Sequence, residues 1–528
     1  MKGLIIAYTE KFMHSLLNTL PESLIISNRY YYLPSFGNIL YLEHLSEQDM
    51  DCIYISDEVN DQLKDISTIV EALASWFYVL KENGYLVISK TSNLTAQHIQ
   101  QFLSDFAELS EFDEQNVPYY MVKKRIALPT KDVLHETAIK LCEQGDIDRA
   151  EMVLFKLYML YPRFPFCYLL QANIWLQTKG VDYANVLWQR ALRHTHCSQN
   201  LIFYALHLLR INNYHLGFQQ RKDCLFKQDY FPSRSPIIPN MLDKRLCGAV
   251  EKLKQKTLLV WSEFGLGDEI MFGQLAYYLK HHCHVAKLIF MVQKPIKTLF
   301  ETHPDIDLVL DASLMNETSF PDYDYWVYPH DLLAHVSEPF NLLPKRYPYF
   351  FAKHENKAKF SALMQSDKIK IGFVFRGNPS HENDKARSVH NVALIEPLLQ
   401  FSEQIQWYCI QKEINQQERT LFDKYSIPYL GQYFDCMADT AGAVAQLDYL
   451  VSVDTSVIHL AGSLGIKGFV LVPFYTDWRW GYQGDENLWY PTIKVLRQRF
   501  DFNWTPVFER LKVELHEIIA NRYNEEIV

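Results

Sequence analysis

Along the first quarter of the chain, short apolar runs alternate with longer amphipathic stretches. Residues 4–7, 24–27, 52–55 and 85–88 read as buried strands, and 69–80 and 96–106 as helices. Strands alternating with helices predict an α/β layer on a mostly parallel sheet. The string Leu80-Lys81-Glu82-Asn83-Gly84-Tyr85-Leu86-Val87-Ile88 reads as a helix end, a glycine stop and a buried strand. From 132 to 232 the pattern turns helical and repeats. Gly145 and Gly180 are 35 residues apart, Ala150 and Ala184 are 34 apart, and a weaker third unit turns at Asn212-Asn213-Tyr214. One helix pair cannot bury its own apolar face, so such units stack. Pro232, Pro236 and Pro239 break the helices. Two further sets of strand patterns follow, at 257–261, 288–292, 306–310 and 325–328, then at 369–375, 406–410, 449–453 and 468–472, with a connecting helix at 355–365. Two such sets predict two Rossmann-like lobes facing a cleft, with ligands beyond the carboxyl ends of the strands.

Composition narrows the function. The chain has 528 residues, 48% of them hydrophobic and 22% charged, which fits an ordinary globular protein. Its net charge of −10 is the wrong sign for a nucleic-acid binder. Residues 1–125 carry 9 Lys and Arg against 17 Asp and Glu, so the remainder is near neutral and suits an anionic small ligand. Nine scattered cysteines form no C-x-x-C pair, which argues against a zinc site or disulfide framework. No apolar stretch reaches the ~18 residues of a membrane span. With the short N-terminal apolar run, this points to a cytoplasmic protein without an integral membrane segment.

The string carrying most chemistry is Ser452-Val453-Asp454-Thr455-Ser456-Val457-Ile458-His459, followed by Gly462 and Gly465. Asp454 and Thr455 fall where a buried strand turns into a helix, whose N-terminus favours a phosphate. Thr455 and Ser456 add hydroxyl donors, and His459 lies one turn further on the same face. An isolated Asp here would be only a helix cap. Three more strings accompany it: Glu263-Phe264-Gly265-Leu266-Gly267-Asp268; Phe375-Arg376-Gly377-Asn378-Pro379 with Asn383-Asp384-Lys385-Ala386-Arg387-Ser388; and Asp477-Trp478-Arg479-Trp480 with Trp489-Tyr490-Pro491.

In order and spacing these four strings resemble glycosyltransferase family 9, the bacterial heptosyltransferases, and most of all the branch fused behind tetratricopeptide repeats; the likeness covers residues ~255–500. The 34-residue helical period resembles tetratricopeptide repeats, and residues 80–89 resemble part of a methyltransferase-like Rossmann domain. These resemblances imply a multidomain α/β plus all-α protein: a degenerate methyltransferase-like α/β domain (1–128), tetratricopeptide-like repeats (129–235), and a two-lobed GT-B-like module with an acceptor-side lobe (240–352) and a nucleotide-sugar lobe (353–528). They further imply an inverting, metal-independent transferase, with ADP-heptose as the donor suggested by resemblance alone. The acceptor is left open between a protein or peptide on the repeats and a glycan.

Inverting transfer needs a base for the acceptor proton and positive charge for the leaving diphosphate. Asp268 matches the family's base, with Glu263 nearby as the alternative, and Gly265 and Gly267 let the turn approach ligand. Arg376, Lys385 and Arg387 are the cations at hand for the diphosphate, beside Gly377 and Asn378; Gln411 matches a position near the nucleotide base. Trp478 and Trp480 read as packing residues. Asp305-Ile306-Asp307 and Asp322-Tyr323-Asp324 mimic a metal motif but read as strand ends, and no metal is expected. Relatives often carry a Ser-Leu-Pro segment on the acceptor side; here it is Tyr328-Pro329-His330-Asp331. His330 and His381 are within reach of a cleft, although a lone histidine is more often structural. The rival readings are a non-catalytic repeat scaffold that only binds a nucleotide, and an S-adenosylmethionine-dependent methyltransferase, opposed by the glycine-free Ala7-Tyr8-Thr9-Glu10 turn.

Overall fold

The computed structural model describes residues 3–6, 30–32, 50–55, 63, 65–90, 93–114, 117–194, 198–224, 242–263, 265–314, 321–380, 384–499 and 503–527. The strand expected at 24–27, the 7–10 turn, the three prolines after 230, His381 and Asn383 lie outside them. The chain divides into two compact units, residues 1–200 and 201–528.

The first unit begins with a six-stranded sheet. Strands β1 (Gly3–Ile6), β2 (Tyr30–Tyr32), β3 (Met50–Ile55), β4 (Leu80–Ser89), β5 (Ala107–Glu114) and β6 (Val117–Lys124) lie in the order β2-β1-β3-β4-β6-β5. The first four run parallel, and β6 is antiparallel to both of its neighbours. Helix Ile66–Val79 starts at Asp65, whose carboxylate accepts from the Thr68 amide at 2.8 Å, and it buries Trp76 and Phe77 completely. Its last turn is closed by the buried Lys124 ammonium, which donates to the Phe77 and Leu80 carbonyls at 2.8 and 2.7 Å. The expected glycine stop at Gly84 is corrected: β4 begins at Leu80, and Asn83, with φ 60°, takes the left-handed conformation. Pairing with β3 slips there, Met50 facing Leu80 and Cys52 facing Tyr85, so a bulge absorbs the extra residues. Asn is one of the few side chains that tolerates such a φ.

Four helices follow: Lys131–Glu143, Ile147–Leu160, Pro165–Thr178 and Val181–His194. Gly145 and Gly180, at φ 77° and 97°, make the turn within each helix pair, which explains their 35-residue spacing. Ala150 and Ala184, one turn into the second helix of each pair, are fully buried. A third pair, Ser198–Arg210 and Tyr214–Cys224, belongs to the second unit from Leu201 onward; Asn212, at φ 64°, stands in its turn where the others have glycine.

The rest of the second unit holds two parallel sheets. Strands β7 (Thr257–Val260), β8 (Lys287–Val292), β9 (Leu308–Asp311) and β10 (Tyr325–Val327) are ordered β10-β7-β8-β9. Strands β11 (Ile369–Val374), β12 (Ile405–Cys409), β13 (Tyr449–Val453), β14 (Lys467–Val472) and β15 (Ile493–Arg497) are ordered β12-β11-β13-β14-β15. Strand β15 was not expected from the sequence. Helix Thr505–Ile527 lays Val507, Phe508, Leu511 and Leu515 into the core of the second sheet. A single apolar core joins both sheets to the preceding helix pair: Leu209, Tyr214 and Phe218 pack with Phe272, Trp478 and Trp489. The paired acids that mimic a metal motif tie strand ends. Asp307 accepts from the Leu288 amide at 2.6 Å and Asp324 from the Thr257 amide at 2.8 Å.

Candidate functional site

Beyond the carboxyl ends of β7 and β13 the chain enters two eight-residue helices, Leu266–Gly273 and Ser456–Ser463, that pack against each other. The approach is tight at Gly267. A Cβ there would stand 2.8 Å from the His459 ring and 3.5 Å from the Ser456 Cα, so only glycine lets the two helices meet this way. Asp268 and Asp454 come together at this crossing from opposite lobes.

On the first lobe, Asp268 accepts from the Gly265 amide at 3.3 Å and closes a capping box. Its other oxygen is ion-paired to the Arg479 guanidinium and lies 3.5 Å from His330 Nε2. Burial would raise the Asp268 carboxyl, but Arg479 and His330 outweigh it and hold the group well below the usual carboxylate range. Behind it, His330 Nδ1 is 2.9 Å from one Glu263 oxygen, and Arg221 Nη2 donates to the other at 3.2 Å. Glu263, His330 and Arg221 are all buried. Burial pushes Glu263 up, while His330 and Arg221 bring it below its ordinary value.

On the second lobe, Thr455 stands at the N-cap of its helix without a side-chain capping bond, and its hydroxyl is 3.1 Å from Ser452 Oγ. Ser456 opens the helix beside Gly267. His459 is buried, with Nδ1 3.1 Å from the Tyr490 hydroxyl, Nε2 3.6 Å from Asp454, and its ring stacked on Trp480. Asp454 is raised by burial and lowered more by His459 and Arg479, for a net downward shift. The Arg387 guanidinium donates to the Asp454 carbonyl at 3.1 Å. Gly377 makes room for it, since a Cβ there would come within 2.7 Å of both Arg387 and Asp384.

Three residues predicted for the donor have other partners here. Arg376 forms a double ion pair with the buried Glu418, at 2.6 and 2.7 Å, which leaves the exposed Lys385 and the half-buried Arg387 of the three cations predicted for the diphosphate. Gln411 accepts from the Phe375 and Arg376 amides at 3.1 and 2.9 Å and so braces that loop. Asn378 is exposed and accepts from the Ser380 amide. Trp478 and Trp480 are buried.

Two residues absent from the sequence-based set join the cluster. Arg479, in the Asp-Trp-Arg-Trp string, contacts Asp268 and Asp477 and lies over the Trp478 ring. Its positive charge is reinforced by Asp268, Asp477 and Asp454 against the effect of burial. Arg221 comes from the last repeat-like helix. Nothing local marks it as a partner of Glu263, 42 residues away.

Glu269, next to Asp268, is buried. It accepts from the Ser262 hydroxyl and from the Gln293 amide and side chain. Burial pushes its carboxyl up to about 7 from an ordinary 4.5, against those hydrogen bonds. A raised folded-state value contributes stability that is present below the unfolded value and lost as pH rises through the folded one. Glu269→Gln, which cannot ionise, should therefore gain on wild type by up to about 3 kcal/mol between pH 5 and pH 8. Urea unfolding at the two pH values measures this; equal differences at both would contradict it.

Among the described residues no group of three or more His, Cys, Asp or Glu is placed to hold a metal ion, and no helix is long and apolar enough to cross a membrane.

No family model matches the chain. Protein FlbA of Caulobacter vibrioides is 22% identical over 292 residues, 51% of this chain and 48% of that one, so the chain spans about half the length of the curated relative it matches. Among solved structures, a glycosyl transferase family 9 protein from Veillonella parvula overlaps 47% of this chain and 87% of its own, at TM-score 0.35 and 12% identity. The E. coli ADP-heptose lps heptosyltransferase II overlaps 51% and 99%, at TM-score 0.34 and 14% identity.

Proposed function

We propose that the chain is an inverting glycosyltransferase that moves a sugar from a nucleotide-diphospho-sugar to a protein or glycan acceptor. The observation that carries this reading is the crossing of the two helix N-termini at Gly267. It sets a partly exposed carboxylate, Asp268, against an uncapped helix start at Thr455-Ser456. An uncapped N-terminus with hydroxyls beside it suits a diphosphate, and Arg387 and Lys385 add positive charge. Asp268, on the facing lobe, is assigned the acceptor proton. Attack of the acceptor oxygen on the anomeric carbon forms one C–O bond as the bond to the diphosphate breaks and the nucleoside diphosphate leaves with the electron pair. The four-string resemblance to glycosyltransferase family 9 supports the same reading and favours an ADP-heptose-like donor.

A panel of ADP-, UDP- and GDP-sugars incubated with the full chain tests this. Slow release of one nucleoside diphosphate, unaffected by EDTA, is expected. Release from none of the donors, or activity that EDTA abolishes and Mg²⁺ restores, would contradict it.

A further inference from the structure

Asp268 and Arg479 meet across the crossing, one from each lobe, and a single helix of the repeat-like region reaches the neighbours of both. It is Tyr214–Cys224, the second helix of the third pair. The Phe218 ring, fully buried on it, lies 6.3 Å from Phe272 and 5.5 Å from Trp478, centroid to centroid. Phe272 is one turn beyond Asp268 on the same helix, and Trp478 immediately precedes Arg479. The contacts on either side of Phe218 divide between the lobes in the same way. Tyr214 packs on Trp478 and Trp489 of the second lobe, and the Trp489 indole N–H donates to its hydroxyl at 3.3 Å. His215 Nδ1 is 3.2 Å from the Val336 carbonyl oxygen of the first lobe, and Arg221 donates to Glu263.

The Arg221–Glu263 pair bears most directly on the site. Both side chains are buried. Glu263 lies between the end of β7 and Gly265, the residue at the N-cap of the Asp268 helix. Its second oxygen faces the His330 backbone amide at 3.5 Å and His330 Nδ1 at 2.9 Å, so the turn is held from two sides. Two apolar side chains would fill the same space without the cost of desolvating a charge pair. A charge-assisted bond from a planar guanidinium adds what apolar packing lacks, a defined direction.

Resting on the proposed transferase reading, we infer that helix Tyr214–Cys224 is a brace that fixes the two lobes against each other, and that Arg221 is a positioning residue of the transfer: through Glu263 it sets the turn from which Asp268 faces the donor helix. Arg221 touches neither the sugar nor the diphosphate. The acceptor oxygen is held by Asp268 on one lobe and the anomeric carbon by the donor site on the other, so the angle between the lobes sets their separation. Reacting atoms must come within about 3–3.5 Å, and a misplacement of about 1 Å can cost on the order of 10²-fold.

The test uses the full chain and three readouts. They are release of ADP, UDP or GDP from the sugar nucleotide that wild type turns over, calorimetric affinity for that diphosphate, and the distance between two spin labels. The labels are carried by unnatural amino acids at Lys287 and Lys467, exposed residues at the starts of β8 and β14. Arg221→Lys keeps a charge beside Glu263, and so should fold, but loses the planar fork. It should lower kcat by roughly 3–10-fold and Arg221→Gln by roughly 10–10²-fold, both with unchanged affinity. Both should broaden a label distance that is narrow in wild type. In an Asp268→Asn background neither should lower kcat further, because the group being positioned is already gone. A merely structural role would cost the same factor in both backgrounds. If Arg221→Gln does not fold, Arg221→Lys decides. Wild-type kcat in Arg221→Lys, or an equal loss in the Asp268→Asn background, would overturn the positioning role. A label distance in Arg221→Lys as narrow as in wild type would overturn the brace. Each of these leaves the transferase reading standing. Release of no diphosphate by wild type would overturn that reading and the positioning role with it, while the label distances still decide the brace.

Discussion

Asp268→Asn should lower kcat by roughly 10²–10⁴-fold, the usual worth of a general base. The substitution keeps the shape of the side chain and its cap on the Gly265 amide, so helix Leu266–Gly273 should start as before. It removes the negative charge that receives the acceptor proton. It also leaves Arg479 with Asp477 as its remaining ion-pair partner, which loosens the bond between the lobes without removing a donor contact. Affinity for the nucleoside diphosphate should therefore change little while turnover collapses, the signature of an interaction used in the transition state alone. Single-turnover kinetics with a saturating donor separate the two effects. A fall in affinity that accounts for the whole loss would place Asp268 with the donor instead.

The second large effect concerns where the catalytic module begins. A chain starting at residue 240 lacks Leu209, Tyr214 and Phe218, which share a core with Phe272, Trp478 and Trp489. It also lacks Arg221, the buried partner of Glu263. Losing one large core aromatic costs about 3–5 kcal/mol, and stranding a buried charge costs about as much again. Against a typical total stability of about 5–15 kcal/mol, the sum unfolds the module. The 240–528 chain should show no cooperative melt, whereas 198–528 should melt cooperatively. Circular dichroism on both chains decides; a cooperative melt of 240–528 at the temperature of 198–528 would contradict the shared core.

Much of the architecture was readable from the order of residues because local rules determine it. Gly145 and Gly180 announce helix turns through their need for positive φ, and the apolar runs of β7, β8, β11, β13 and β14 announce buried parallel strands. The strand-to-helix turns that hold Asp268 and Asp454-Thr455-Ser456 were readable as helix starts. The site was not readable where a partner far along the chain decides. Arg376 reads as a free cation until Glu418, 42 residues on, is brought to it. Arg221 carries no local mark at all, because its partner Glu263 lies 42 residues further on. Arg479 sits among tryptophans that read as packing, and only the meeting of the two lobes turns it toward Asp268. The Asn212 turn was legible in the repeat pattern, whereas Asn83 took a left-handed position that elsewhere in the chain belongs to glycine and that local pattern alone did not announce.

Asp454, Thr455 and the helix they open are assigned to the donor, and that assignment is the centre of the proposed function. Calorimetric titration of the full chain with ADP, UDP and GDP, on wild type, Asp454→Ala, Thr455→Ala and Asp268→Asn, tests it most directly. Wild type should bind at least one nucleoside diphosphate. Each second-lobe substitution should weaken that binding by about 1–3 kcal/mol, the cost of hydrogen bonds lost in a buried polar site, while Asp268→Asn binds as wild type does. Binding abolished in Asp268→Asn but intact in Asp454→Ala and Thr455→Ala, or no binding by wild type at all, would contradict it.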